Sequence, residues 1–333
     1  MTVAELSRLA ADLGLDVVGA APAEPYVETE RHILERRTRG LFADMRFTMA
    51  RPEVSCHPEL LLDGARSVVA AALCYYAPAA EPGIDEGRLP RYTWRDEYAT
   101  LRERLEELGH RLGGSYRVLV DENDHVDREA AVRAGIAFYG KNTMAITRRH
   151  GSWVVLGTLV TDVEIERSPP LELDCGSCRL CIDACPTGAL DDPGVLDATK
   201  CLSYWTQAAS PIPEEHRREL RDTVYGCDIC QDVCPWNRGV EKRREGMQPD
   251  DARPTVSLRE WLDGDEAGLI VEFDRLYLPR NDARWLRRNA LIAAGNVGTN
   301  DLIPSVERHA AGEDTMLSET ATWALARMAE RSA

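Results

Sequence analysis

No apolar run in this 333-residue chain approaches the roughly 18–20 residues a membrane-spanning helix needs. The longest, such as Ser67–Tyr76, have the length of a strand. The amino terminus, MTVAELSRLAADLG, has no basic segment followed by an apolar core, so no secretory, twin-arginine or lipid signal is expected. The dinucleotide fingerprint G-x-G-x-x-G and the phosphate loop G-x-x-x-x-G-K-[ST] are both absent. Aromatic residues are scarce, at 6%. Positive charge is also in deficit: 40 basic residues face 56 acidic ones, a net charge of −16. This argues against broad, sequence-independent binding to DNA and leaves any nucleic-acid partner to a local basic patch. The hydrophobic share (44%) and charged share (29%) are ordinary, which excludes disorder, collagen and coiled coil as global descriptions. A soluble, cytoplasmic monomer without membrane association is expected, built from two or three domains.

What the chain does have is cysteine, unevenly placed. Cys56 and Cys74 stand alone; the other eight of the ten lie between Cys175 and Cys234. A cytosolic chain of this size has no need of disulfides, so a cluster this dense points to metal. Cys175, Cys178, Cys181 and Cys185-Pro186 form C-x-x-C-x-x-C-x-x-x-C-P, the bacterial ferredoxin spacing for 4Fe–4S clusters. Cys201, Cys227, Cys230 and Cys234-Pro235 repeat it with a long insertion after the first cysteine. Three cysteines of such a motif serve one cluster, and the fourth faces away to serve the other. One cluster therefore takes Cys175, Cys178, Cys181 and Cys234, and the other takes Cys201, Cys227, Cys230 and Cys185. Zinc is the competing metal, but a zinc ribbon uses two C-x-x-C pairs and no paired C-P endings. Clusters of this kind move single electrons.

The first 165 residues alternate helices and strands irregularly, which fits α+β as well as a wound α/β fold. Thr2 and Glu5 form a capping box for an amphipathic helix. Strands are expected at LDVVGAA, Ser67–Tyr76, YRVLV and SWVVLGTLVTD. Helices are expected over Val27–Arg37, over a long segment from Thr93 to Gly113, and over VDREAAVRAG. ERSPPLELD and KRREGMQPDDARP read as linkers. The regions are thus 1–165, 166–245 and 246–333. The last is helical, with small-residue helices that resemble a repeat or a docked cap.

A two-cluster module needs far fewer residues, so the first region must hold another electron acceptor. Its densest polar stretch, 118–147, begins at the end of a strand with Asp121 and continues through Asp127, Arg128 and Gly140-Lys141-Asn142-Thr143. A desolvated acid at a strand end can donate a proton near neutral pH. Asp127 and Arg128 read instead as a structural pair or a helix start.

Together these stretches resemble the epoxyqueuosine reductases, cobalamin-dependent iron–sulfur enzymes of tRNA queuosine synthesis. The resemblance is carried by ELLLDGARSVV (59–69), V-D-x5-D-R-x2-A-x2-A-G (120–135), GKNT (140–143), GSWVVLGTLVTD (151–162), DCGSCRLCIDACPTGAL, CLSYWTQ (201–207), YGCDICQDVCPWN (225–237) and RRNALIAAGN (287–296), in family order over nearly the whole chain. It implies a nitroreductase-like α+β domain that binds cobalamin, a two-cluster bacterial ferredoxin-like domain, and C-terminal α-helical HEAT-like repeats that help hold tRNA. The implied reaction is reduction of epoxyqueuosine to queuosine at the wobble position, with Asp121 as proton donor. It further implies cobalamin contacts near Ala145, Leu156, Asp228 and Ile229, largely through main chain, and tRNA-facing positions at Ser203 and Gln207. A low-potential donor of ferredoxin or flavodoxin type would supply electrons.

The chain departs from the family at Ser55, usually Arg, at Ala99 in WRDEYA, usually His in a sequence such as WGRDYH, and at Ala137, usually Gly. It is also about one repeat short. For the tRNA, a basic cluster is expected from Arg275, Arg280, Arg284, Arg287 and Arg288, with Trp285 as a stacking plane and Lys242, Arg243 and Arg244 in the preceding linker. His57 and His125 read as structural. The alternatives are a cobalamin-dependent reductase of reductive dehalogenase type, and an electron-transfer module feeding a partner enzyme.

Overall fold

A four-stranded antiparallel sheet organises the first half of the chain in the computed structural model, which describes residues 1–79, 81–122 and 124–332. Residue 333, the end of the third expected region, lies outside them. The strands are β1 (Val17–Pro22), β2 (Ser67–Cys74), β3 (Glu86–Arg88), β4 (Tyr116–Val120), β5 (Ala137–Tyr139), β6 (Ala145–Thr147), β7 (Val154–Thr161) and β8 (Thr255–Ser257). The main sheet runs β1-β2-β7-β4, with Val17 opposite Ala72, Ser67 opposite Thr161, and Val120 opposite Gly157. All its pairings are antiparallel, so of the two architectures the sequence allows, α+β is the one formed.

Both faces of β2 are covered, which is why its sequence is continuously apolar rather than alternating: all eight residues are buried. The helix Glu97–Leu112 lies on one face with Leu101, Leu105 and Leu108 fully buried, each worth roughly 1.5–3 kcal/mol of transfer free energy. Gly157 permits that approach, since a Cβ there would stand 2.7 Å from Leu105 Cδ1. The helix Asp127–Arg133 covers the other face through Ala130 and Ala131. The capping box at Thr2 and Glu5 is formed. The long helix starts later than its periodicity suggests. Asp96 takes the Ala99 N–H at 2.9 Å, so the chain before it makes a separate turn, Arg91–Thr93.

The expected linkers are fastened down. Ser168 exchanges two hydrogen bonds of 2.9 Å with the main chain of Ala20, lying along the free edge of β1. The second linker leads into β8, which pairs with β3 (Glu86 opposite Ser257). As a result, Ala77, Leu89 and Trp94 share a core with Trp261, Phe273 and Leu286 from the C-terminal helices. Among those helices, Arg284–Val297 packs against Thr315–Ser332. No helix among the described residues is long and apolar enough to cross a membrane.

One expected RNA contact is corrected here. Arg288 is fully buried, and all its N–H groups are engaged. Nε bonds Asn289 Oδ1 (3.0 Å), Nη1 bonds the carbonyls of Ala208 (2.7 Å) and Ser210 (2.5 Å), and Nη2 bonds those of Trp205 (3.0 Å) and Thr206 (3.1 Å). No donor remains for a phosphate. Arg288 instead clamps the C-terminal helix to the loop that follows Cys201. Arg288→Ala should therefore strand several buried carbonyls and cost about 3 kcal/mol or more, with Arg288→Lys recovering part of it, as read from urea midpoints.

Candidate active site and iron–sulfur segment

Two one-turn helices, Leu180–Asp183 and Ile229–Asp232, lie inside the two cysteine motifs and pack together. The C-P cysteine of each motif thereby crosses to the other. Cys175, Cys178, Cys181 and Cys234 line one cavity of about 490 Å³, with Lys141 and Trp236 in its wall. Cys201, Cys227 and Cys185 lie within one another's electrostatic reach, Cys230 feels Cys227 and Cys201, and Cys181 reaches Cys230, so the quartets are neighbours. Among the described residues, no three His, Cys, Asp or Glu converge on a single ion. Burial pushes the Cys227 thiol up to about 12 and that of Cys234 up to about 11. Ionising them therefore calls for cationic partners, which iron supplies.

The GKNT segment holds both motifs. Lys141 Nζ donates to the carbonyls of Gly176 (2.7 Å) and Cys178 (2.8 Å), while Asn142 Nδ2 reaches the carbonyl of Cys230 at 3.4 Å. GSW and CPWN interlock as well. Asn237 Oδ1 accepts the Ser152 N–H at 2.8 Å, and its Nδ2 donates to the Gln231 carbonyl at 2.8 Å. Gly226, at φ +57°, lies so close to Pro90 that a Cβ would come within 2.5 Å of Pro90 Cγ.

Asp121 ends β4 in the left-handed region (φ 55°), which Asp tolerates better than most residues. Solvent reaches it, yet desolvation by the surrounding protein raises its carboxyl above the usual range; Glu122 reinforces the rise and Arg102 opposes it. Its charge acts on the phenols of Tyr92, Tyr98 and Tyr225, all raised mainly by burial. The loop after Asp121 is tethered: Asp124 pairs with Arg51 (2.6 Å) and Arg117 (3.1 Å), and the Val126 N–H bonds the carbonyl of buried Ser55 at 3.2 Å. His125 is buried against the Tyr26 ring at 5.6 Å, and burial pushes it down to about 4. His57 lies between Glu30 (3.1 Å) and Glu59 (2.9 Å).

Asp127 opens its helix as expected. It is not paired with Arg128; its carboxylate accepts from Thr158 Oγ1 at 2.9 Å. Burial pushes it up to about 7, against that hydrogen bond, and Asp121 adds to the rise.

The remaining expected positions fall as follows. Ala145 is buried in β6. Leu156 is the half-exposed residue of β7, on the same strand face as Thr158. Ile229 is half-buried at the start of its helix. The Asp228 carboxylate accepts from both the main chain and side chain of Arg91, and burial pushes it up to about 6. Gln207 Nε2 bonds Ser203 Oγ (3.2 Å), and its Oε1 accepts from the Tyr225 hydroxyl (3.1 Å). Arg287 is partly buried, 3.7 Å from Glu266. The expected basic cluster is largely engaged within the protein: Arg284 pairs with Asp282 (2.7 Å), Arg275 bonds the Thr93 carbonyl, Arg243 bonds the Arg149 carbonyl, and Arg244 bonds that of Cys74 (3.2 Å). Trp285 is buried between Arg284 and Arg288 with its N–H on the Pro279 carbonyl, so it offers no stacking plane. Arg280 is exposed. The sequence reading did not single out Arg91, Tyr92, Tyr225 or Thr158 as site residues. Tyr225 and Thr158 lie inside the family motifs 225–237 and 151–162, which are the available signal for them.

Residues 174–237 match the family model of the 4Fe-4S double cluster binding domain, and residues 56–123 match that of epoxyqueuosine reductase QueG, DUF1730. The epoxyqueuosine reductase of Lactococcus garvieae is 32% identical, over 97% of this chain and 95% of that protein. A solved epoxyqueuosine reductase with an epoxyqueuosine-modified tRNA-Tyr stem loop superposes with a TM-score of 0.87 at 31% identity, covering 98% of this chain and 89% of that one. The Bacillus subtilis enzyme, solved with its aspartate catalytic loop swung out of the active site, gives a TM-score of 0.86 at 29% identity, covering 98% and 90%.

Asp127 also sets a pH signature. Its folded pKa is raised, so the native state holds a proton that the unfolded chain releases near pH 4. Its contribution to stability is full below that pH and is lost as pH rises through about 7. Asp127→Asn cannot titrate. The variant-minus-wild-type difference in urea midpoint should therefore climb between about pH 4 and pH 8.

Proposed function

The chain belongs to the epoxyqueuosine reductase family of oxidoreductases, and from that premise we propose that it reduces epoxyqueuosine at the wobble position of tRNA to queuosine, with Asp121 as proton donor. The observation that carries this reading is the placement of Asp121 directly after β4 in the left-handed region, with its carboxyl raised above the usual range by the surrounding protein. The reaction breaks the epoxide C–O bonds, consumes two electrons and two protons, and releases the oxygen as water. The two cysteine quartets would hold 4Fe–4S clusters, which would supply the electrons one at a time. The Asp121 carboxyl, kept protonated more readily than an aspartate free in water, gives its proton to the departing oxygen. Arg102 Nη2 donates to the Val120 carbonyl at 2.6 Å and fixes the strand end from which the acid projects.

Cobalamin is the further group this reading calls for, and the residues fit it. Leu156 opens an otherwise buried strand, Ala145 is small, Ile229 is apolar and half-buried, and Thr143 turns in the left-handed region with its carbonyl within 3.4 Å of Arg128 Nη1. A flat, largely apolar ring needs such a floor, with main-chain groups at its rim. When bound, it supplies a metal centre able to collect electrons at low potential. The Asp228 carboxylate is engaged by Arg91, so Asp228 would meet the ring through its main chain.

In this reading residues 1–165 form the nitroreductase-like cobalamin domain, 166–245 the ferredoxin-like domain, and 246–333 the HEAT-like region that contacts tRNA. Ser203 and Arg287 would face the RNA directly, and Gln207 would act by holding Ser203 and Tyr225. A low-potential ferredoxin or flavodoxin would donate electrons to a cytoplasmic monomer. The relative solved with its aspartate loop swung out bears on the tether at Asp124, which would release the equivalent loop here.

Protein purified anaerobically, given cobalamin, a low-potential reductant and epoxyqueuosine-containing tRNA, should form queuosine by nucleoside mass spectrometry. Asp121→Ala should lower turnover by roughly 10²–10⁴-fold with cluster absorbance unchanged. Undiminished queuosine from the variant would remove Asp121 from its role. No queuosine from wild type loaded with both clusters and cobalamin would overturn the substrate.

A further inference from the structure

The second cysteine loop is gripped from outside by an arginine that no motif marks. Arg91 opens the turn Arg91–Thr93. Its main-chain N–H donates to Asp228 Oδ2 at 2.9 Å. Its Nη1 donates to the same oxygen at 3.3 Å and to Asp232 Oδ1 at 2.8 Å, and its Nε donates to the Ala77 carbonyl at 3.1 Å. The guanidinium carbon stands 4.7 Å from the Trp153 ring centroid and 5.6 Å from those of Tyr76 and Trp94. The side chain is 10% exposed. Caged by three rings, it has one position, and a guanidinium does not lose its proton in a protein.

Asp228 stands between Cys227 and Cys230. Its other oxygen accepts from Gln231 Nε2 at 3.4 Å, and Gln231 Oε1 accepts from the Tyr75 hydroxyl at 3.2 Å. The loop therefore carries two carboxylates, Asp228 and Asp232, with Arg91 bonded to both. Reducing a cluster adds negative charge to it. A fixed cation beside the loop favours that step, and uncompensated carboxylates oppose it.

We propose that Arg91 is a positioning residue for the second iron–sulfur cluster: it fixes the Cys227–Cys230 loop through Asp228 and offsets the loop's acidic charge, holding that cluster's reduction potential above the value the carboxylates alone would impose. Tyr92, the next residue of the same turn, lies within reach of the charges of both Asp228 and Asp121. The inference rests on the two-cluster reading of the cysteine segment and not on the identity of the substrate.

The test is an EPR-monitored redox titration of the full chain carrying both clusters, comparing wild type with Arg91→Gln, Arg91→Lys, Asp228→Asn and the Arg91→Gln/Asp228→Asn double variant. Arg91→Gln should lower the potential of the second cluster and leave the first unchanged. Asp228→Asn should raise it, the double variant should return toward wild type, and Arg91→Lys should stay near wild type. Equal shifts of both clusters, no shift in Arg91→Gln, or a double variant no closer to wild type than Arg91→Gln would overturn the proposal. Should Arg91→Gln fail to retain the second cluster, iron analysis of the double variant decides. Recovery supports charge compensation, and continued loss refutes it. Wild-type protein that cannot be loaded with about eight irons would instead refute the two-cluster reading itself.

Discussion

The cysteine segment has little apolar core of its own, and the rest of the molecule is arranged around that shortage. Val224 and Tyr225 join the core of the C-terminal helices, Val240 joins that of the main sheet, and two small clusters remain: Leu202, Ile212 and Leu220 against Ile292, and Cys234 against Phe138 and Ile146. Both are completed by residues from outside the segment. Side-chain hydrogen bonds onto main-chain carbonyls take over the task that packing performs elsewhere. Lys141 and Asn142 hold the ligand loops from one side, Asn237 ties the end of the segment to Ser152, and Arg288 binds four carbonyls after Cys201. Such bonds are worth most where water is excluded, because leaving a buried carbonyl without a partner is costly.

Asp121 follows directly on β4 of the main sheet, while Lys141 and Asn142, also of the first region, hold the cysteine loops. The left-handed backbone at Asp121 turns the chain sharply out of the sheet, and the tethers at Asp124 and Val126 limit where the turn can go. The raised carboxyl therefore follows from position, with no specific partner required: desolvation dominates, and its two charged neighbours oppose one another.

How much of this was legible in the sequence depended on whether the cause was local. Cysteine spacing is local chemistry, and the eight ligand candidates group in space as the spacing suggests. β2 was legible because burial on both faces leaves a nearly continuous apolar run, and β7 because its β-branched and apolar residues cluster over one strand length. The long helix was misplaced at its start, where one cap at Asp96 outweighs a periodicity that continues through it. Arg288 was misread because a run of arginines on a helix looks the same from sequence whether the face meets water or carbonyls. Arg91 and Tyr92 lie outside the family motifs, and each acts on partners distant in the chain.

The pairing of β3 with β8 sets the order of events during synthesis. Glu86 meets Ser257 half a chain length later, and Ala77, Leu89 and Trp94 find their core among helices that emerge after that. The main sheet can close once β7 has left the ribosome, but the turn bearing Arg91 cannot settle until the C-terminal helices arrive. The second cysteine loop leans on that turn, so its final geometry is a late, post-translational product. A nascent protein cut short before β8 would present its ligand loop without that settled outer wall.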